Sequence, residues 1–556
     1  MEDIEIAQKA TLKSIKEVAK QLDIPESSLT LHGDYIAKVS HRLLEKLKGE
    51  KDGKLILVTA MSPTSAGEGK TTNSIGLTMA LNKLGKNSMV TLREPSVGPI
   101  MGIKGGAAGG GYSQVLPMED INLHFTGDMH AISLAHNLLS AVIDAHIKFG
   151  NELGIDPTRV YWPRAMDMND RALREIIIGL GGHANGYPRE DNFIITAASE
   201  IMAILCLATN ITDLKERLGN IVIGRNYSRA FIKAESLEIN GAMTALLKNA
   251  LNPNLVQTIE GTPAFVHGGP FANIAHGTNS LMATKMALKL SDYVVTEAGF
   301  GAELGGEKFL DFVSQTGDFV PSAVVIVASI RALKSNGGIS DKELDNENLQ
   351  VLEKGFENLR VHYENMSRYN IPVIVALNKF DNDTNNEIEA FRRLCEENNM
   401  IFETSGVWEK GSEGGLKLAQ KVIDEIETRK EKQFKPLFSL DVPAEEKIEK
   451  LAKQIYRASD VNYDSSAKKK LRLFKKHGYG NLPVIVAKTQ YSVTDKPGIK
   501  GAPGEYTFNI KDLTLSAGAG FIVAVAGSIL LMPGLPKVPG ATKIDVDEEG
   551  TISGLF

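Results

Sequence analysis

The stretch Ser62-Pro63-Thr64-Ser65-Ala66-Gly67-Glu68-Gly69-Lys70-Thr71-Thr72 carries the groups that phosphate chemistry requires. Unpaired N–H groups at the start of a helix point at an anion, and the helix dipole adds to them. In a phosphate loop, Thr64, Ser65, Ala66, Gly67, Glu68, Gly69, Lys70 and Thr71 would wrap the phosphates of a nucleotide, with Lys70 along the terminal ones and the Thr71 hydroxyl on a magnesium ion. The standard pattern places Gly six positions before the Lys, and here that position is Thr64, so the loop is a variant. The alternative is a glycine-rich turn that binds nothing, and the flanking sequence argues against it. Leu55 to Ala60 is a short apolar run without alternation, as in a strand buried on both faces of a parallel sheet. Ile75, Leu77, Met79 and Leu81 follow in a segment long enough for a helix.

Other chemistry-bearing residues also follow apolar runs. Ser88 to Leu92 predicts a strand that ends in Arg93-Glu94-Pro95-Ser96, and Tyr293 to Thr296 predicts one that ends in Glu297. The carboxyl ends of parallel strands are where such sheets bind ligands. An acid there, in a chain with a phosphate loop, can hold magnesium through water, although Asp is the usual residue. Asp128 and His130 lie close together in Thr126–Ala131. No third strong ligand has metal-site spacing, so a polar pocket wall is the better reading. His267 and His276 flank a glycine-rich turn as ligands or as loop hydrogen-bonding groups. Asn378-Lys379-Phe380-Asp381 has the form of a guanine-reading motif, but no DxxG segment accompanies it. Phe380 and Trp408, the latter in a Gly-flanked loop, could form a stacking slot for a flat ring. The basic run Lys468–Lys476 reads as a solvated helix face; a site for a polyanionic tail is the secondary reading.

Alternating strands and helices position these groups, which predicts a doubly wound, mostly parallel α/β sheet with a P-loop-type nucleotide site. Further apolar strands are expected at Ala323–Ala328, Val373–Leu377 and Leu482–Ala487. Ile4 to Leu22 reads as an amphipathic helix ended by Pro25, and Val39, Leu43, Leu44 and Leu47 as a second helix. The glycine-dense Gly98–Gly111, which contains Lys104, is a candidate cover. The chain of 556 residues divides into a large nucleotide-binding α/β domain (1–365) and two smaller α/β domains, 366–440 and 441–556. A net charge of −6 supplies no global field for nucleic acid or an anionic membrane. The N-terminus lacks the order of a signal peptide, and the apolar stretches Phe193–Ala208 and Phe521–Met532 read as core rather than membrane spans. Cys206 and Cys395 form no CxxC pair, which suits a cytoplasmic setting.

Taken together, Thr64–Thr71, Leu92–Ser96, Thr126–Asp128, Asp167–Arg174, Phe265–Gly277, Glu297–Lys308, Asn378–Asp381, Val407–Gly411 and Ser516–Phe521 resemble formate–tetrahydrofolate ligases from one end of the chain to the other. Thr in place of the first loop Gly is a trait of that family; Thr64-Ser65-Ala66 departs from its usual Thr-Pro-Ala. The resemblance implies ATP, formate and tetrahydrofolate giving 10-formyltetrahydrofolate, ADP and phosphate. It also implies magnesium with ATP, activation by potassium or ammonium, and a homotetramer. The rival class is a P-loop nucleotide switch acting on a protein partner, which leaves Arg93 and Trp408 without a role.

That chemistry assigns roles. Formate has no leaving group until phosphorylation makes formyl phosphate, and bringing it to ATP sets anion against polyanion. Two unit charges about 4 Å apart interact with about 4 kcal/mol at a surface-like dielectric. Lys70, Arg93 and magnesium are the cations available, and the forked guanidinium of Arg93 suits formate and then formyl phosphate. The attacking N10 amine is neutral and must lose a proton afterwards, with Asp128 as acceptor or positioner and His130 as alternate. Phe380 and Trp408 would sandwich the pterin, and the Gly98–Gly111 and Glu297–Gly306 loops would exclude water.

Overall fold

Leu55 and Leu57 enter one hydrophobic core, and Ile56, Val58 and Ala60 enter a second. Successive side chains of a strand point to opposite faces, so a strand with a core on each side must be apolar throughout. The computed structural model describes residues 2–64, 67–102, 108–429 and 433–555. Ser65, Ala66 and Lys104 lie outside the described residues.

The large sheet is built, in chain order, from β1 (Leu29–His32), β2 (Ile36–Val39), β3 (Lys54–Ala60), β4 (Ser88–Leu92), β5 (Asn254–Thr258), β6 (Pro263–Val266), β7 (Tyr293–Glu297), β8 (Pro321–Ala328), β9 (Val373–Asn378) and β10 (Ile401–Ser405), with a short ribbon over 109–116 beside β5. Their spatial order is β1-β2-β5-β6-β4-β7-β3-β8-β9-β10. From β6 to β10 every neighbouring pair is parallel, and the β1, β2, β5 side is antiparallel. The chain leaves β3 for β4 on one side and returns to β8 on the other, so β3 lies where the winding reverses.

Helix α1 (Lys70–Lys83) covers one face; every residue from Asn73 to Leu81 is buried, which is why its apolar residues follow no one-sided stripe. The other face is covered by α3 (Ile330–Gly337) and α4 (Leu349–Ser367), through Leu333, Leu352, Phe356 and Leu359. Between them in sequence lies α2 (Asp128–Lys148), whose buried face is Ile132, Ala135, His136, Leu139 and Ile143. Leu134 on the same helix is exposed. Helix α5 (Asn385–Glu397) joins β9 to β10.

Strands β9 and β10 fall within 366–440 and continue the large sheet, so that stretch shares its sheet with residues 1–365. Residues 441–556 hold a sheet of their own, in which β11 (Val484–Ala487) is parallel to β13 (Phe521–Val525) and β12 (Asp512–Ser516) is antiparallel to it. Helix α6 (Ser465–Lys476) buries Ala467, Leu471 and Phe474 and turns its lysines outward, as a solvated face does.

Two expectations change. The Ile4–Leu22 segment is two short helices, Asp3–Gln8 and Ile15–Gln21, the second started by the Ser14 capping box. Val39 belongs to a hairpin strand, because Gly33, at φ 74°, turns β1 back onto β2. No helix among the described residues is long and apolar enough to cross a membrane.

Candidate functional site

The described part of the loop between β3 and α1 is held from inside. Gly69, at φ 74°, caps α1 in a left-handed conformation, and a Cβ there would lie 2.5 Å from Asn378 Nδ2. Only glycine meets both conditions without strain. Asn378 Nδ2 donates to the Glu68 carbonyl at 3.3 Å, so the residue that opened the guanine-type motif braces the loop, and Asp381 is exposed. The Glu68 side chain turns inward. It accepts from Thr64 N at 2.8 Å, from Thr64 Oγ1 at 2.9 Å and from Ser329 Oγ at 2.5 Å. Burial raises its pKa against the pull of those donors. Lys70, the first residue of α1, is half-buried at the helix start.

Three sequence-predicted groups come together beside the loop. Thr71 Oγ1 donates to Glu297 Oε2 at 2.8 Å, and Arg93 Nη2 donates to Glu297 Oε1 at 3.4 Å. Each follows or ends a neighbouring parallel strand: Thr71 after β3, Arg93 after β4, and Glu297 as the last residue of β7 between them. Glu297 is 2% exposed, whereas the Arg93 side chain is 25% exposed and its Nε has no partner among the described residues. Gly299 gives the guanidinium room, since a Cβ there would stand 3.0 Å from Arg93 Nη1 and 2.6 Å from Ala272 Cβ. Its neighbour Phe300 has φ 59°, the kind of strain that clusters at ligand sites. Two hard oxygen donors at a helix start fit a magnesium ion that keeps most of its water. Among the described residues no three His, Cys, Asp or Glu side chains form a metal-binding group.

Asp128 begins α2 as a buried ion pair. Its two oxygens lie 2.8 and 2.9 Å from Lys38 Nζ, and Asn254 Nδ2 adds a hydrogen bond of 2.9 Å. Both oxygens are therefore engaged, while His130 is exposed on the helix. Nearby Glu94 is buried, and burial followed by the Asp128 charge pushes its pKa well above the usual carboxylate range. His267 serves its loop: Nδ1 lies 2.6 Å from Ser280 Oγ and Nε2 2.6 Å from the Ala250 carbonyl. Burial pushes its pKa down to about 4. His276 is also buried and pushed down to about 3, by burial and then by the charges of Lys308 and Arg93.

The two candidate stacking rings follow adjacent parallel strands, β9 and β10, at the same edge of the sheet. Each has its own neighbour. The Arg331 guanidinium lies 5.6 Å from the Phe380 ring centre, and Trp408, 42% exposed, lies against the backbone of Gly110 and Gly111. Glu297–Gly306 is buried except at Phe300, so it forms a floor rather than a cover. In the other candidate cover, Val97–Gly102 is helical and Gly109–Gly110 is a strand; 103–107 lie outside the described residues.

Sequence reasoning missed Lys38, Ser329 and Gly299. Ser329 carried a signal, as the polar residue between an apolar strand and a helix, and it caps α3. Lys38 carried none that a linear reading could use.

A family model described as formate–tetrahydrofolate ligase matches residues 1–556. A protein of Kosmotoga olearia named formate–tetrahydrofolate ligase is 65% identical over 555 residues, 100% of each chain. One of the same name from Thermosipho africanus is 65% identical over 553 residues, covering 100% of this chain and 99% of its own. Another, from Thermotoga maritima, is 59% identical over 544 residues, 98% of this chain and 100% of its own.

Proposed function

The chain belongs to the formate–tetrahydrofolate ligase family, and from that premise we propose that it makes 10-formyltetrahydrofolate through formyl phosphate at the carboxyl edge of the large sheet. The observation that carries the reading is the meeting of Thr71, Glu297 and Arg93 beside the glycine-rich start of α1.

The backbone of Thr64–Gly69, with Lys70, binds the ATP phosphates. Thr71 and Glu297 are the oxygen donors that would hold magnesium, which when bound neutralises phosphate charge. A formate oxygen forms a bond to the γ-phosphorus while the bond from that phosphorus to the β–γ bridging oxygen breaks, and ADP leaves. Arg93 holds the carboxylate in line; its unpartnered Nε and its distance from Glu297 leave donors for a planar anion. N10 of tetrahydrofolate then bonds to the formyl carbon, the carbon–oxygen bond to phosphate breaks, and the N10 proton passes to the departing phosphate. Asp128, fixed by Lys38, positions this part of the site rather than taking that proton. Trp408 and Phe380 receive the pterin from two sides. A potassium or ammonium activator, a polyglutamylated folate, a homotetramer and a cytoplasmic setting complete the reading.

ADP release is expected to require formate and tetrahydrofolate together and to proceed with ATP but not GTP. Equal ADP release without formate would overturn the proposal in favour of a nucleotide switch.

A further inference from the structure

Four side chains, all buried, form a row from the C-terminal unit to the base of the phosphate loop. Lys488, directly after β11, donates to Glu303 Oε1 at 3.2 Å and is held by the carbonyls of Ser492 at 2.5 Å and Thr489 at 3.0 Å. Glu303 Oε2 faces His362 Nδ1 at 3.6 Å, and among the described residues neither atom has a hydrogen-bond partner. His362 Nε2 lies 3.0 Å from Ser62 Oγ. Ser62 stands two residues beyond β3 and two before Thr64.

Ser62 is gripped from other sides too. Its N–H donates to Asn358 Oδ1 at 3.2 Å, its Oγ accepts from Asn358 Nδ2 at 3.1 Å, and its carbonyl accepts from Asn336 Nδ2 at 3.3 Å. Asn358 and His362 are four residues apart on α4 and so share a face. Asn358 Nδ2 also donates to the Gly501 carbonyl at 3.2 Å, a second contact from the C-terminal unit.

Serine, histidine and a carboxylate in this order have the form of a nucleophile triad. Burial rules out that use: Ser62, His362 and Glu303 are each 0% exposed, so no acyl donor reaches the serine oxygen. The order still gives the row a direction. Burial pushes the His362 pKa down, which keeps the imidazole neutral. A neutral imidazole with its Nδ1 proton toward Glu303 accepts from the Ser62 hydroxyl, so the tautomer fixes the rotor of Ser62. Glu303 also belongs to the floor segment that follows Glu297. A Cβ on Gly301 would lie 2.2 Å from Glu303 Oε2, and one on Gly305 would lie 2.0 Å from the Gly299 carbonyl, so this segment admits little movement.

We propose that Glu303, His362 and Ser62 are positioning residues for nucleotide binding, a relay through which Lys488 of the C-terminal unit holds the phosphate loop and the Glu297 floor in one register. The inference rests on reading Thr64–Thr71 as the ATP site. None of the four side chains touches substrate; the relay acts through the backbone of Ser62 and the floor below Arg93.

The test is a double-mutant cycle on the full chain. Ser62→Ala is expected to raise KM for ATP about tenfold, with KM for tetrahydrofolate and the melting temperature unchanged. Glu303→Gln is expected to raise KM for ATP likewise, and the double variant to do no worse than the larger single change, because each breaks the same row. Should Glu303→Gln fail to fold, His362→Gln takes its place in the cycle. An unchanged KM for ATP in Ser62→Ala, or effects that multiply, would overturn the relay. Lys70→Ala separates the two readings. Lost ATP binding there beside an unaltered Ser62→Ala defeats the relay alone, whereas intact ATP binding in Lys70→Ala defeats the phosphate-loop reading and the relay with it.

Discussion

Two cation–glutamate pairs in this molecule are built to different standards. Lys334 and Glu387 are 3% and 0% exposed and 2.8 Å apart; the Asn346 carbonyl takes a second Lys334 proton, and Glu387 also accepts from Asn348 N and from Thr384 in the capping box of α5. Arg93 and Glu297 are 3.4 Å apart, the arginine is a quarter exposed, and its Nε has no partner among the described residues. The first pair is saturated and serves the scaffold. The second leaves a donor unused, as the proposed role of Arg93 requires. Spare hydrogen-bonding capacity, more than charge, separates the two regions.

Arg93→Leu is expected to break the contrast most severely, lowering kcat/KM about a thousandfold while ATP binding persists, read by steady-state kinetics and nucleotide titration. Lys334→Met should do the converse. Leaving Glu387 buried without its cation is expected to cost about 3 kcal/mol of unfolding free energy by denaturant titration, with KM values unchanged in the protein that remains folded.

His267 extends the saturated class to a neutral group. Its folded pKa of about 4 lies below the ordinary 6.5, so the unfolded chain binds the extra proton first. The stability it contributes is complete above pH 6.5 and is lost as pH falls toward 4. Unfolding free energy should therefore drop by about 2 kcal/mol from this residue between about pH 6.5 and pH 5, and His267→Gln should remove that part of the slope.

The smallest effect compares two tryptophans. Trp162 is 5% exposed and stacked on His136 at 4.2 Å, whereas Trp408 is 42% exposed. Trp408→Ala is expected to raise KM for tetrahydrofolate about tenfold with KM for ATP unchanged; equal shifts in both would end the stacking role.

What the sequence revealed was local. The strand before the glycine-rich loop, the Gly69-Lys70-Thr71 opening of α1, and Arg93 and Glu297 at the ends of apolar runs are all short-range patterns. The hairpin at Gly33 was misread because Val39 and the three leucines after it match a helical spacing by coincidence of a strand running into a short helix. The braces were illegible because they join distant residues: Ser329 reaches Glu68 across 261 positions and Asn378 reaches it across 310. Nothing in the spacing of a serine and a glutamate says that the fold will bring them together. The inward turn of Glu68 is a tertiary fact of the same kind.

The splitting of β3 between two cores has a mechanical consequence. The sheet is a septum of hydrogen-bonded backbone, and the side chains of β3 on its opposite sides belong to different hydrophobic clusters. A shrunken residue at Ile56 loosens one chamber and one at Leu57 the other. The turn that leaves Ala60 is thus anchored by two independent walls, and damage behind either one still leaves it standing on the other.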